Sequence, residues 1–149
     1  MALRYLGRAS NGEASPAIIG TSSSPATLTA TYSGNQTTMS TGVFKVATFY
    51  VFYTPAASSR NLSIQVEGSA DRSNWAKKII FFETDTSGES NMLGHVVKLA
   101  GTTGGSQYTA RYMVPTADEF LRISVKEDGS SSFGTVFVQG SGQLNTLHG

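Results

Sequence analysis

An all-β fold, a single antiparallel sandwich in jelly-roll form with an extended N-terminal arm, is what this sequence predicts. Three observations carry that reading. Apolar residues recur with a period of two rather than three or four, and β-branched and aromatic residues dominate the apolar runs. Turn-forming clusters (TPAASSRN, GSADRSN, TDTSGESN, GTTGGS, PTADE and EDGSSS) break those runs at short intervals. Short strands punctuated in this way indicate a sandwich or jelly roll.

The elements follow in order. Residues 1–26 read as an arm, because the stretch GRASNGEASPAIIGTSSSPA has no sustained periodicity and contains two prolines. The arm either wraps the domain or reaches a neighbour, and the apolar pair Ile18–Ile19 favours docking against something. A sandwich domain is expected over 27–140, with TLTATY (27–32) as a candidate first strand. The runs GVFKVATFYVFY (42–53) and KIIFF (78–82) are apolar on both faces, as in strands covered on both sides. By contrast, Leu62, Ile64 and Val66 alternate with Ser63, Gln65 and Glu67. Leu121, Ile123 and Val125 likewise alternate with Arg122, Ser124 and Lys126, so both segments read as half-buried strands. YTARYMV (108–114) and FGTVFVQ (133–139) are further strands, GTTGGS (101–106) is a hairpin loop, and residues 141–149 form a short tail. A single helical turn is expected at Thr116–Glu119, capped by Thr116 or Asp118.

Composition bounds the function. The 149 residues suit one domain with a sizeable core. The absence of cysteine excludes disulfides, thiolate metal sites and thiol nucleophiles. Eleven Lys/Arg face ten Asp/Glu with no basic run, so no nucleic-acid partner is expected. Only 14% of residues are charged, and the polar surface is built from Ser, Thr, Gly and Asn, which suits assembly through many neutral contacts. The N-terminus lacks the apolar core of a secretory signal, and no apolar stretch approaches the ~20 residues of a membrane span. The expectation is a chain made in the cytosol that stays there or leaves with an assembled particle, without a membrane partner.

No catalytic pattern emerges. His95 heads the run HVVKL and His148 is penultimate, and neither has a nucleophile or carboxylate motif around it. The acidic pairs Asp118–Glu119 and Glu127–Asp128 are adjacent in sequence, so on a strand their side chains point to opposite faces. TDTSGES (84–90) sets Asp85 and Glu89 around a glycine but lacks the further ligands of a calcium loop. The reading is a non-enzyme with no cofactor and no metal.

The stretch VEGSADRSNW (66–75) joins two strands through a polar turn. Ser69 and Asp71 are placed to bond backbone N–H groups, and Trp75 to lie across the hairpin base, which makes the three a structural hairpin. Ser69, Asp71, Asn74 and Trp75 also resemble the S-x-D-G-x-x-W hairpin of discoidin-like and carbohydrate-binding jelly rolls, with Arg72 standing where glycine is usual.

A broader likeness covers most of the chain. The Ser/Thr/Gly-rich arm, the aromatic strand, the SIQVEGSADRSNW hairpin, the segment YTARYMVPTADEFLRISVKEDG and the final strand FGTVFVQG resemble, in layout, β-sandwich virion proteins of tailed bacteriophages, particularly capsid decoration (cement) proteins. The resemblance implies a virion location after assembly in the host cytoplasm, attachment to the major capsid protein or other virion proteins, and a homo-oligomer, dimer or trimer. In that setting Tyr5, Ile18 and Ile19 are candidate assembly contacts. A neck, tail or head-fibre component is the alternative place in a particle. A carbohydrate-binding module, with a glycan as partner, is the alternative class.

Overall fold

The computed structural model describes residues 3–8, 14–82, 92–129 and 131–144. Along the chain lie β1 (Leu3–Tyr5), β2 (Gly7–Arg8), β3 (Ala14–Ser15), β4 (Ala17–Ile19) and β5 (Ala26–Thr27). After a 3-10 turn at Tyr32–Gly34 come β6 (Gln36–Ser40), β7 (Phe44–Thr54), β8 (Arg60–Ser69), β9 (Ala76–Lys77) and β10 (Ile80–Phe82). The last five strands are β11 (Met92–Gly94), β12 (Val96–Gly101), β13 (Tyr108–Pro115), β14 (Phe120–Glu127) and β15 (Thr135–Leu144).

Two main antiparallel sheets result, and β2 and β3 form a separate two-stranded pair. The larger runs β15-β7-β13-β10-β11, and the other edge of β15 is lined in turn by β5, β4 and β1. The smaller runs β12-β8-β14-β6, with β9 added to β8. Taking the principal strands, the chain alternates β5, β6, β7, β8 between the sheets, then β12, β13, β14, β15. The spatial orders β5-β15-β7-β13 and β6-β14-β8-β12 are those of a jelly roll.

The period of two decides what fills the middle. Phe49, Val51 and Tyr53 of β7 face Leu62, Ile64 and Val66 of β8 and Leu121, Ile123 and Val125 of β14, all within 1% of complete burial. At about 25 cal/mol per Å² of apolar area, these alternating rows supply the main favourable term of folding.

Several expectations are corrected. The run 42–53 forms β7, but among the described residues no second layer lies over its outer face: Tyr50 is 38% exposed. TLTATY is not a strand. Pairing stops at Thr27, Leu28 turns into the core, and Tyr32 starts the 3-10 turn. The polar strand β6 has one buried apolar side chain, Met39, and so shows no alternating apolar signature. No helix forms at 116–119. Thr116 Oγ1 instead accepts the Asp118 N–H at 3.3 Å and closes a turn. GTTGGS does not close a hairpin, because β12 and β13 belong to different sheets.

The ends also lie elsewhere than 1–26 and 141–149 suggest. β15 continues to Leu144, and β1, β4 and β5 belong to the larger sheet. Ile18 and Ile19 are 7% and 5% exposed, and Thr37 Oγ1 on β6 donates to the Ile18 carbonyl at 2.8 Å, tying the two sheets together on this side. The glycines of VQGSGQL make room for this packing. A Cβ on Gly140 would sit 2.9 Å from Ile18 Cγ1, and one on Gly142 would strike the Phe44 ring.

Candidate functional site

The 66–75 hairpin is a closed hydrogen-bond circuit. Ser69 Oγ accepts the N–H groups of Asp71 (3.2 Å) and Arg72 (2.9 Å) and donates to Asp71 Oδ1 (3.0 Å). Asp71 Oδ1 accepts the N–H groups of Ser73 and Asn74, both at 2.8 Å, and Oδ2 accepts the Asn74 amide at 2.8 Å. The Asn74 and Ser73 N–H groups, then the Asn74 amide and Ser69 hydroxyl, hold the Asp71 carboxyl well below the usual carboxylate range. Arg72 has φ +64°, the conformation glycine favours, so the arginine keeps the glycine-type turn. Trp75 lies over the outer face of the smaller sheet under the Arg122 guanidinium, 4.2 Å from its ring centroid. Arg122 in turn bonds Glu67 Oε1 at 3.0 and 3.1 Å. The Ser69 hydroxyl and both carboxylate oxygens of Asp71 are bonded inside the turn.

Of the candidate assembly contacts, Tyr5 is 52% exposed, on the outer face of the larger sheet. Ile18 and Ile19 pack into the chain's own core and are not offered to a partner in this conformation. The acidic pairs separate: Asp118 bonds Lys78 Nζ at 2.8 Å, Glu127 turns into the core, and Asp128 meets Lys98 Nζ at 3.6 Å. His95 is exposed between β11 and β12. Among the described residues no three His, Asp or Glu side chains gather as a metal would require. Asp85, Glu89 and His148 lie outside the described residues.

Two surfaces stand out that no sequence motif marked. The first is an apolar strip on the side of the sandwich where the chain crosses twice between sheets, through 77–80 and through 94–96. Lys78 N–H donates to the Val66 carbonyl at 2.8 Å, Val96 pairs with Gln65, and Ile80 pairs with Gly94. Ile79 and Val96 therefore emerge side by side along the edge of β8, 42% and 39% exposed, whereas Phe81, 38% exposed, is the cross-strand partner of Met113 and belongs to the outer face of the larger sheet.

The second is the outer face of the larger sheet. Phe52 and Phe137 are cross-strand partners whose rings stack at 4.4 Å and 7°. In the next row Tyr50 sits between Gln139 and Arg111, and in the row after that Thr48 sits between Ser141 and Met113. Tyr5 closes this last row beside Ser141. An open depression of about 120 Å³ lies between the tyrosines, lined by Tyr5, Pro16, Tyr50, Gln139, Gly140 and Ser141. The even hydrophobicity of residues 42–53 hid this surface, since periodicity does not tell a covered face from a bare one.

No protein-family model matches the chain, and no curated protein matches it by sequence. The solved structures it resembles include a single-site variant of a family 29 carbohydrate-binding module, at 6% identity and TM-score 0.37, covering 96% of this chain and 92% of that one. A second variant of that module gives 7% identity and TM-score 0.31, covering 99% of both chains. A third, complexed with mannohexaose, gives 9% identity and TM-score 0.24, covering 93% of this chain and 91% of that one. Superpositions this loose leave the class of protein, a jelly-roll β-sandwich, to rest on the strand order itself.

Proposed function

We propose that this chain is a non-catalytic structural protein that works by attaching to other protein subunits, and that the attachment is to a virion, as a capsid decoration protein. The observation that carries the attachment reading is the exposed apolar pair Ile79 and Val96 on the crossover side. Apolar side chains grouped at a sheet edge gain free energy when a partner removes them from water. The opposite edge of the larger sheet is occupied by the chain's own β1, β4 and β5. The neutral, hydroxyl-rich composition supports the same reading, and the likeness in layout to decoration proteins supplies the virion. Decoration suits modest contacts, because bridging several lattice subunits multiplies them.

The test is the copy number of the chain in particles purified from its source, measured by quantitative mass spectrometry against the major capsid chain. A simple stoichiometric ratio to that chain is the expected result. A handful of copies assigns the protein to a neck, tail or fibre instead, and absence from particles overturns the virion reading. Ile79→Asp combined with Val96→Ser is expected to lower particle occupancy while leaving the melting temperature of the isolated chain nearly unchanged.

A further inference from the structure

We infer that the outer face of the larger sheet, between Tyr5 and Tyr50, binds a neutral oligosaccharide. This site lies on a different surface from the proposed attachment strip and stands or falls separately from it.

The strand β7 brings an aromatic side chain to the bare face of a sheet, where burial cannot be the reason for it. Tyr50 is 38% exposed at the middle of the sheet, and Tyr5 is 52% exposed at its edge. From strand spacing and rise, their backbones are roughly 12 Å apart, two strands across and one row along. In the row beside Tyr50, on the side away from Tyr5, the Phe52–Phe137 stack extends the aromatic surface of the same face.

The groups between the rings have the chemistry of a sugar's complement. A pyranose presents apolar C–H faces, which suit aromatic rings, and a rim of hydroxyls, each of which donates and accepts. Gln139 carries both a donor and an acceptor on one side chain, and no other described residue bonds its amide. Ser141 adds a hydroxyl, and the depression they line with the tyrosines is open to solvent. Charge selects the ligand further. The strands β7, β13 and β15 carry no acidic residue, and their exposed charges are Lys45 and Arg111, so the face offers nothing to a polycation. An interface for another protein would bury a continuous apolar centre. Here Gln139 and Ser141 interrupt the apolar surface between the two tyrosines.

Affinity electrophoresis of the full chain through gels containing a soluble mannan, β-glucan, xylan or galactan, and through polysaccharide extracted from the host surface, tests the site. Retardation by at least one polymer is expected. Tyr50→Ala and Gln139→Ala should each weaken it roughly tenfold or more, with circular dichroism and melting temperature confirming that each variant is folded. Trp75 serves as an internal reporter, since it lies on the other sheet and its emission should not move on binding. No retardation in any gel overturns the inference. So does binding that shifts Trp75 emission and survives Tyr50→Ala, which would put the ligand on the smaller sheet. A chain that is oligomeric by light scattering and turns monomeric on Tyr50→Ala also overturns it, because the face would then be a self-interface.

Discussion

The hydroxyl of Tyr53 donates to Glu127 Oε2 across 2.5 Å inside the sandwich, and both side chains are shut off from solvent at 0% and 1% exposure. Glu127 Oε1 accepts the Gly134 N–H at 2.8 Å, so one carboxylate ties together the ends of β7 and β14 and the connection to β15. A buried carboxylate is tolerable while its lone pairs are met, and costly once a partner is removed. Tyr53→Phe removes one of the two partners without leaving a cavity, and should cost about 1–3 kcal/mol. Glu127→Ala strands both the Tyr53 hydroxyl and the Gly134 N–H and opens a void, and should cost about 3–5 kcal/mol. Urea denaturation midpoints check the order; equal losses would mean that the bridge does not act as a unit.

The same pair makes the fold sensitive to alkali. Burial first, then the hydrogen bond to Glu127 and its charge, push the Tyr53 phenol far above its ordinary value, and burial alone does so for Tyr112. A phenol whose folded pKa is raised contributes stability that is whole below the unfolded value, about 10, and is lost as pH climbs beyond it. The chain should therefore lose stability steadily above pH ~10. Absorbance at 295 nm should show these two tyrosines ionising together with unfolding. Tyr53→Phe should flatten the alkaline slope, and an unchanged slope would contradict the assignment.

The hairpin at 69–75 responds at the opposite end of the pH scale. Asp71 is depressed by its N–H donors, so its contribution is present above the unfolded value, about 4, and disappears as pH falls toward the folded one. Asp71→Asn should shrink the acid-induced loss relative to the parent. At the neighbouring position, Arg72→Gly relieves the positive φ but gives up the guanidinium over the Phe120 ring at 5.2 Å, and should change stability by less than ~1 kcal/mol. Arg72→Val places a β-branched residue at φ +64° and should destabilise by about 1–2 kcal/mol. Thermal melts of the two variants distinguish strain at this position from mere surface tolerance.

What was legible in the sequence is what local chemistry decides. The alternation in Leu62–Glu67 and Leu121–Lys126 gives the two central strands of the smaller sheet, and Ser69 with Asp71 gives the turn. What was not legible depends on partners distant in sequence. β6 is held by backbone pairing to β14 rather than by apolar side chains, so QTTMS carries no strand signal. The crossing of residues 101–108 between sheets, and the bare outer face of β7, are products of strand order. That face holds Tyr50 and Gln139, which is why the candidate sugar site could not be seen beforehand. Arg72 is a smaller case: its departure from glycine left the turn type open, and the surrounding hydrogen bonds impose the conformation regardless.

The N-terminal segment shows the same dependence, and it reverses what its truncation should do. Read as an arm reaching toward a neighbour, residues 1–20 would be removable without harm to the fold. In the structure Leu6, Ile18 and Ile19 are core residues, and β1 and β4 cover the edge of β15. Each such side chain contributes about 1.5–3 kcal/mol through burial, offset in part by the entropy of ordering the segment. Deleting residues 1–20 should therefore lower stability by more than ~3 kcal/mol and bare an unpaired strand edge, promoting aggregation. Ile18→Ala alone should cost about 2–4 kcal/mol, because it opens a space above Gly140 that Leu6, packed beside it, fills only in part. Denaturation of the truncated and Ile18→Ala chains decides between the two pictures. A truncated chain as stable as the parent would mean that the segment docks weakly and is free to leave for a partner.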